Sequence, residues 1–306
     1  MSSPATVIRK HHEDLDLRSS PKKRARARRF ELVLIAATVV SVLVLAWLLF
    51  DILSDGASRL NLDLLTEYTS RRAEDTGVRS GITGTLSLMV LVGLIAFPVG
   101  VAAALYLEEF AAENRFTRLV EANINNLAGV PSVVYGLLGF GIFAQIFGGI
   151  PGFGRSLLTG ALTLSLLVLP VIIVASRESL RAVPQDLRNG GLALGATPIQ
   201  VAFTITLPAA MSGVLTGTIL ALSRAIGETA PILVAGAVFS RRADNVPWAF
   251  GDNYSALPIQ IYDFVKRPQP EFQIEVSAAG IIVLMVLLLS MNSIAIFLRN
   301  KYSKDS

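Results

Sequence analysis

Long stretches without a charged residue are the feature that most restricts how this chain can fold. The first runs from Leu32 to Phe50, and similar apolar runs recur along all 306 residues. About 20 residues of helix cross the hydrocarbon core of a bilayer, where a helix satisfies its own backbone hydrogen bonds. The sequence therefore predicts an all-α membrane protein. We expect six transmembrane helices, at about residues 32–50, 82–107, 119–147, 157–176, 209–239 and 278–298.

The distribution of Lys and Arg predicts the orientation of these spans. With both termini inside, the cytoplasmic segments hold 17 Lys and Arg and the external loops hold 9. Basic residues favour the cytoplasmic side. We therefore expect a multi-pass protein of the cell inner membrane with both termini in the cytoplasm. Its membrane domain is predicted at 30–300, with a cytoplasmic loop at 177–208, an external loop at 240–277 and a short cytoplasmic tail at 301–306.

The basic residues of the N-terminal segment are interpreted first as a signal for the orientation of the protein in the membrane. Residues 1–29 contain few aliphatic side chains, which predicts a disordered cytoplasmic tail. Contact with anionic lipid is a second possible role for its charges, and nucleic acid is not expected as a partner. The first apolar run is too long for a cleaved signal peptide and no small-residue cleavage pattern follows it. His11 and His12 have no further metal ligands nearby, so no metal site is predicted.

The cytoplasmic loop contains the run Asn189–Gly195 and, after nine further residues, Ile205–Pro208. This spacing resembles the EAA docking loop of ABC importer permeases. The loop would bind an ATPase through a short helix pair, with Gly195 allowing a turn and Pro198 opening the second helix. The first triplet departs from the Glu-Ala-Ala of the family. The predicted docking residues are Asn189, Gly190, Gly191, Leu194, Gly195, Ile205, Leu207 and Pro208. A surface loop with ordinary turn residues is the alternative interpretation.

The chain has no Gly-x-x-x-x-Gly-Lys-Ser/Thr loop with which to bind nucleotide phosphates. The resemblance therefore implies a transport subunit without cofactors of its own, with ATP and Mg²⁺ held by a separate ATPase. The absence of cysteine also excludes a thiolate metal site and a cysteine nucleophile. An intramembrane enzyme lacks support, because no histidine lies in any predicted span.

Two apolar spans carry the more specific motifs, Ala128–Gly139 in the third and Ala225–Pro231 in the fifth. Both closely resemble the phosphate-importer permeases, particularly the PstA type, as does the external run Leu257–Tyr262. The resemblance covers residues from about 80 to the C-terminus. It implies the type I ABC importer permease fold in contact with membrane lipid, a homologous second permease in a heterodimer, an ATPase dimer and an external phosphate-binding protein.

The third-span motif places a helix breaker, Pro131, inside a predicted membrane helix. Freed backbone groups are tolerated there only inside protein or beside a water-filled path. Gly129, Gly136 and Gly139 fit that interpretation, and they equally fit close helix packing. Either way, this face should look into the helix bundle or toward a partner permease.

Arg224 and Glu228 are charged residues within the fifth predicted span. A charged side chain inside the bilayer is costly, which indicates a structural or functional role for both. Spaced four residues apart, they can pair directly. The pair could be a buried lock between helices, or an anion gate in which Arg224 binds phosphate oxygens. Glu228 would accept a hydrogen bond from protonated phosphate and disfavour sulfate, which has no proton to donate. The predicted substrate path consists of Arg224, Glu228, Thr229, Pro131 and Ser132.

Two alternatives remain for the transport function. One is a permease of the same architecture for another oxyanion, such as molybdate or sulfate, since an external binding protein could set selectivity. The other is an ion-coupled secondary transporter, against which the spacing of the docking loop argues.

Overall fold

The computed structural model describes residues 21–239 and 244–304, and all regular elements in these ranges are helical. The chain divides into two units, residues 1–52 and 53–306. Helix α1, Pro21–Gly56, makes up the described part of the first unit and extends a few residues into the second. It includes residues 21–29, which were predicted to be disordered. Pro is favoured in a first turn and Ala, Arg and Lys are good helix formers, so the membrane helix extends into the basic segment. The rest of the predicted tail, with His11 and His12, lies outside the described residues.

The second unit is an assembly of helices joined by short connections. A 3₁₀ turn, Ala57–Arg59, follows α1, and wider π-helical turns extend α3 and α5 and precede α9 and α12. The helices are α2 (Leu62–Thr66), α3 (Arg79–Leu105), α4 (Arg115–Leu127), α5 (Ser132–Gly139), α6 (Leu157–Arg181), α7 (Gln185–Ala193), α8 (Pro198–Val201), α9 (Leu207–Ile226), α10 (Ala230–Ala235), α11 (Leu257–Lys266) and α12 (Ser277–Lys304). The π-helical turns are Tyr106–Phe110, Phe140–Ile146, Ala202–Thr206 and Phe272–Val276.

Within the described ranges, five helical stretches are long and apolar enough to cross a membrane. They are Arg28–Arg59, Arg79–Phe110, Leu157–Arg181, Pro198–Ile226 and Phe272–Lys301. A sixth span results if Arg115–Leu127 and Ser132–Ile146, which are bent by 106° relative to each other, count as one. The predicted span 119–147 is therefore two helices with a sharp bend, because Pro131 has no N–H to donate and disfavours helical geometry in the residue before it.

The predicted span 209–239 is interrupted as well. Helix α9 ends at Ile226, and after three intervening residues the short α10 begins at Ala230 with Pro231 in its first turn. Gly236 then ends α10 with φ of 108°, a left-handed conformation that favours glycine. Both interruptions fall inside the two motifs that resemble the phosphate-importer permeases.

Helix α6 lies at the centre of the unit and packs against α3 and α9. Small residues allow the close approach: a side chain at Gly100 would collide with Ile172, and one at Gly217 with Ala175. Apolar side chains of these helices and of α5, α10 and α12 form the largest buried cluster. The third and fifth spans are therefore held against a tightly packed centre despite their interruptions.

The segment before α11 is anchored in this core by Tyr254. The ring is fully buried against Gly160, and its hydroxyl donates to the Ile232 carbonyl of α10 at 3.3 Å. Burial raises the pKa of Tyr254, so the hydroxyl remains a neutral donor near neutral pH. This hydrogen bond attaches the segment to α10, which is connected to α9 at its other side in the sequence.

Candidate functional site: the interrupted helices and the docking segment

The two interrupted spans pack against each other through α5 and α10. Gly136 lies so close to α10 that an added Cβ would stand 2.7 Å from Pro231 Cα. An added Cβ at Gly139 would overlap the side chain of Thr163 on α6. These two glycines are therefore close-packing positions, whereas Gly129 is exposed in the break between α4 and α5. Close helix packing therefore applies to Gly136 and Gly139 and not to Gly129.

The predicted path residues lie in or beside the two breaks. Pro131 is the exposed residue that precedes α5, and Ser132 is the first residue of that helix and partly covered. Glu228 and Thr229, both partly covered, occupy the connection between α9 and α10. The fold therefore places all of them in neighbouring helical spans that pack through Gly136 and Pro231.

Arg224 and Glu228 form the direct ion pair that their spacing predicts. Arg224 Nε lies 3.3 Å from Glu228 Oε1. Arg224 is in the last turn of α9, whereas Glu228 lies beyond the end of that helix. The Arg224 side chain is 53% exposed and that of Glu228 is 16% exposed. Within this chain the pair is thus half open, with its arginine exposed and its glutamate largely covered, and it joins no two long helices.

Tyr135 bridges the break between α4 and α5 and was not singled out from the sequence. Its ring is buried, and its hydroxyl donates to the Leu127 carbonyl at the end of α4 at 2.8 Å. The same carbonyl also accepts from the Val130 N–H at 3.0 Å, so two hydrogen bonds hold the end of α4 at the break. The tyrosine within the third-span motif was the available signal, because a buried hydroxyl needs a partner.

The predicted docking segment is a helix pair with a glycine turn. Gly195 adopts φ of 89° between α7 and α8, and Pro198 occupies the first position of α8. Thr197 and Gln200 cap α8 reciprocally. The predictions of a turn at Gly195 and a helix start at Pro198 are confirmed. Gly191 is buried where a side chain would collide with Ile205, so it fixes α7 against the following segment.

The outer side of this helix pair is apolar and exposed. Leu194 is 92% exposed, and Ile199 and Phe203 are also well exposed. Among the other predicted residues, Asn189, Gly190 and Pro208 are exposed, while Leu207 is partly covered. Asn189, Gly190 and Leu194 are thus available to a partner, whereas Gly191 and Ile205 shape the helix pair from inside.

The chain matches the family model described as "Binding-protein-dependent transport system inner membrane component" over residues 96–304. It is 30% identical over 256 residues to the "Phosphate transport system permease protein PstA" of Haemophilus influenzae, covering 83% of this chain and 87% of the relative. It is 32% identical over 295 residues to the protein of the same name from Yersinia pestis, covering 94% and 96%. The resemblance inferred from the two span motifs is confirmed.

Solved structures of ABC importers have the same fold. A chain of a bacterial alginate ABC transporter in complex with a pentasaccharide-bound periplasmic protein aligns with a TM-score of 0.61 at 14% identity, covering 90% of this chain and 94% of that chain. A chain of the inward-facing MetNI methionine ABC transporter aligns with a TM-score of 0.56 at 17% identity, covering 74% and 94%. The predicted type I ABC importer permease fold is confirmed, and the chain is a transport subunit of the membrane rather than a catalytic enzyme. On the family match and on these relatives, this chain belongs to the binding-protein-dependent transport system inner membrane components.

Proposed function

We propose that this chain is the permease subunit of an ATP-driven importer of inorganic phosphate and forms the path together with a homologous second permease. An external binding protein delivers phosphate, and a cytoplasmic ATPase dimer docks on α7 and α8. Nucleotide and Mg²⁺ belong to that ATPase, and this chain takes no cofactor. Both termini lie in the cytoplasm.

The observation that carries the proposal is the half-open Arg224–Glu228 pair at the break between α9 and α10. A guanidinium can offer two parallel N–H donors to two oxygens of a phosphate. Arg224 keeps enough exposed surface to receive an anion without first leaving a buried pair. The Glu228 side chain is more covered, so its carboxylate would lie beside the bound anion. Two negative groups repel each other unless the anion carries a proton that it can donate to this carboxylate. Phosphate near neutral pH carries that proton, and sulfate does not.

The break itself supports a path for a hydrated anion. Within a bilayer, non-helical backbone is stable only when it is buried in protein or lines a water-filled cavity. Pro131 and Gly129 are exposed in this chain, so their backbone must face either water or a partner. A second permease covering the same face would enclose a path between the two subunits. The names of the relatives favour phosphate as the anion.

The docking part of the proposal is supported by the exposed apolar residues of α7 and α8. Leu194 is highly exposed, and a capping box stabilises the start of α8 beside it. The helix pair therefore presents an apolar side chain in a fixed position. Such a projection fits a groove in a partner protein. ATP-driven closure of the ATPases would then move α7 and alternate access to the path.

Stimulation of ATP hydrolysis tests the substrate assignment. The complex of this chain with its second permease and ATPase is reconstituted with the binding protein, and hydrolysis is measured with phosphate, sulfate or molybdate. We expect phosphate to stimulate hydrolysis and the other two anions not to do so. Stimulation by sulfate or molybdate alone would assign a different oxyanion, and uptake without any ATPase would indicate a secondary transporter.

Orientation can be tested because the chain contains no cysteine. Single cysteines at Gly190 and Leu65 should react with an impermeant maleimide from opposite sides of the membrane. We expect labelling at 190 only from the cytoplasm and labelling at 65 only from outside. External labelling at 190 would refute the docking proposal.

A further inference from the structure

A cluster of six charged side chains lies where α3, α4, α6 and α7 meet. Three are acidic and three are basic, and they come from four separate parts of the chain. They all belong to segments predicted to be cytoplasmic, as is the docking helix α7. The charged cluster consists of Glu108, Glu109, Glu121, Arg177, Arg181 and Arg188.

Arg177 is the centre of the charged cluster. Its Nη2 donates to Glu121 Oε1 at 2.6 Å, and its Nε lies 3.5 Å from Glu108 Oε2. The side chain is only 9% exposed. Buried charges persist in proteins when they are paired, and removal of one partner leaves the other uncompensated. Arg177 therefore holds the middle of α4 and the π-helical turn that follows α3 against α6.

Arg188 attaches the docking helix to the same cluster. Its Nη2 donates to the Leu180 carbonyl of α6 at 2.7 Å and lies 3.1 Å from Glu109 Oε1. The side chains of Arg188 and Glu109 are both largely buried. Glu109 neighbours Glu108 in the π-helical turn that ends α3. Movement of α7 would therefore pull on Glu109 and on the π-helical turn that contains it. The other acidic residue of this turn, Glu108, contacts Arg177.

Helix α4 is the element that these contacts can move. None of its residues is buried, and Ile124 only packs partly against an apolar cluster of α3, α6 and α9. The short contact of Glu121 with Arg177 is therefore a large part of what fixes its position. Because α4 is a continuous helix from Arg115 to Leu127, a displacement at Glu121 carries Leu127 with it. The Leu127 carbonyl accepts the hydrogen bond from Tyr135 at the break.

We infer that the Arg177–Glu121 ion pair transmits movement of α7 to the break between α4 and α5. The inference rests on the proposed docking of an ATPase on α7. Arg177 and Glu121 are positioning residues, since they set the location of α4 and do not contact the transported anion. An exposed helix tied by one short charged contact can shift as a rigid body when that contact is pulled. A helix buried on all sides could not.

Glu121→Gln tests the inference without leaving a buried charge unpaired, because Arg177 retains its contact with Glu108. A single cysteine replaces Asn126, an exposed residue of α4 next to the break, in the otherwise cysteine-free chain. The rate of maleimide labelling is measured in the complete complex, without nucleotide and with nucleotide trapped by vanadate. We expect a nucleotide-dependent change in rate that Glu121→Gln reduces about tenfold, within the range typical of coupling between sites. Phosphate transported per ATP hydrolysed should fall with it, while basal ATP hydrolysis remains.

Arg181→Gln is the matched control. Arg181 lies one turn further along α6, also pairs with Glu108, and is 49% exposed. Exposed pairs contribute little, so we expect labelling and transport per ATP to stay within about twofold of the native values. Glu121→Asp keeps the carboxylate and should recover at least half of the lost response. A native response in Glu121→Gln, or no nucleotide response in the native complex, would overturn the inference.

The labelling response requires no phosphate and so distinguishes the two levels of the proposal. If phosphate fails to stimulate hydrolysis while labelling at 126 still follows nucleotide, the substrate assignment fails and the transmission route stands. If phosphate is transported while Glu121→Gln changes neither labelling nor transport per ATP, the substrate assignment stands and the transmission route fails. An ATPase that does not bind the complex would refute both.

Discussion

Arg224 and Glu228 are four residues apart at the end of α9, whereas Arg177 and Glu121 are 56 residues apart and join two helices. The Arg224 side chain is 53% exposed, and the Arg177 side chain is 9% exposed. A pair within one local segment can open without separating any packed elements. A pair that joins two helices, such as Arg177 with Glu121, holds those helices together, and its arginine is the covered partner. The difference is the reason that we propose anion contact for the first pair and mechanical attachment for the second.

Neutralising the first pair should have the largest effect on transport. Arg224→Gln with Glu228→Gln removes the charged donor that replaces the hydration of the anion, so phosphate uptake should fall about a thousandfold, on the order of 4 kcal/mol. The free energy of unfolding should change by less than about 1 kcal/mol, because the pair is half exposed. Phosphate uptake is measured in proteoliposomes, and assembly of the complex is checked by size-exclusion chromatography. Near-native uptake by the assembled double variant would show that the pair serves structure alone.

Removing the centre of the second pair should act mainly on stability. Arg177→Met leaves Glu121 without its partner and Glu108 with Arg181 alone, which costs roughly 3 kcal/mol. Arg224→Met provides the comparison on α9 and should cost less than about 1 kcal/mol. Thermal unfolding of both variants in the same detergent measures the difference. Equal destabilisation would remove the distinction between the two pairs.

Packing around the breaks is tested by two glycines of the third span. Gly136→Ala places a methyl group about 2.7 Å from Pro231 Cα, and backbone cannot easily move aside, so we expect a loss of about 2 kcal/mol. Gly141→Ala is the matched control, since nothing lies within 4 Å of a Cβ there, and it should be neutral or slightly stabilising. Thermal unfolding distinguishes the two. Similar stability of the two variants would mean that α5 and α10 are not tightly packed.

Arg224→Lys gives the smallest of these effects and refines the role of the first pair. A lysine keeps the charge but cannot offer two parallel donors, so uptake should fall about tenfold, near 1.4 kcal/mol. Assembly should be unaffected. Measured uptake equal to that of the native protein would mean that charge alone serves the anion, with no requirement for two oxygens bound together.

Much of the fold could be predicted because its signals are local. Apolar runs, Pro131 and Pro198 act through the backbone at their own positions, so span locations, the bend near Pro131 and the start of α8 follow from neighbouring residues. The interruption after Ile226 was missed although Pro231 was a local signal for it, because a proline removes the helical hydrogen bond to the residue four positions earlier, here Gly227. The helical start at Pro21 was missed as well, since charge was taken as a sign of disorder although Ala, Arg and Lys favour helix.

The sequence by itself determined the all-helical membrane fold, the family motifs, and the pairing of Arg224 with Glu228, since an i to i+4 spacing brings two side chains together without help from the rest of the chain. Only the tertiary structure decided that this pair is half open, that Gly136 and Gly139 are packing positions, and that Tyr135 bridges the break between α4 and α5. The charged cluster around Arg177 likewise emerged only from the fold. Its members are far apart in sequence, and which carboxylate a buried arginine meets is set by the packing of α3, α4, α6 and α7, which no local pattern encodes.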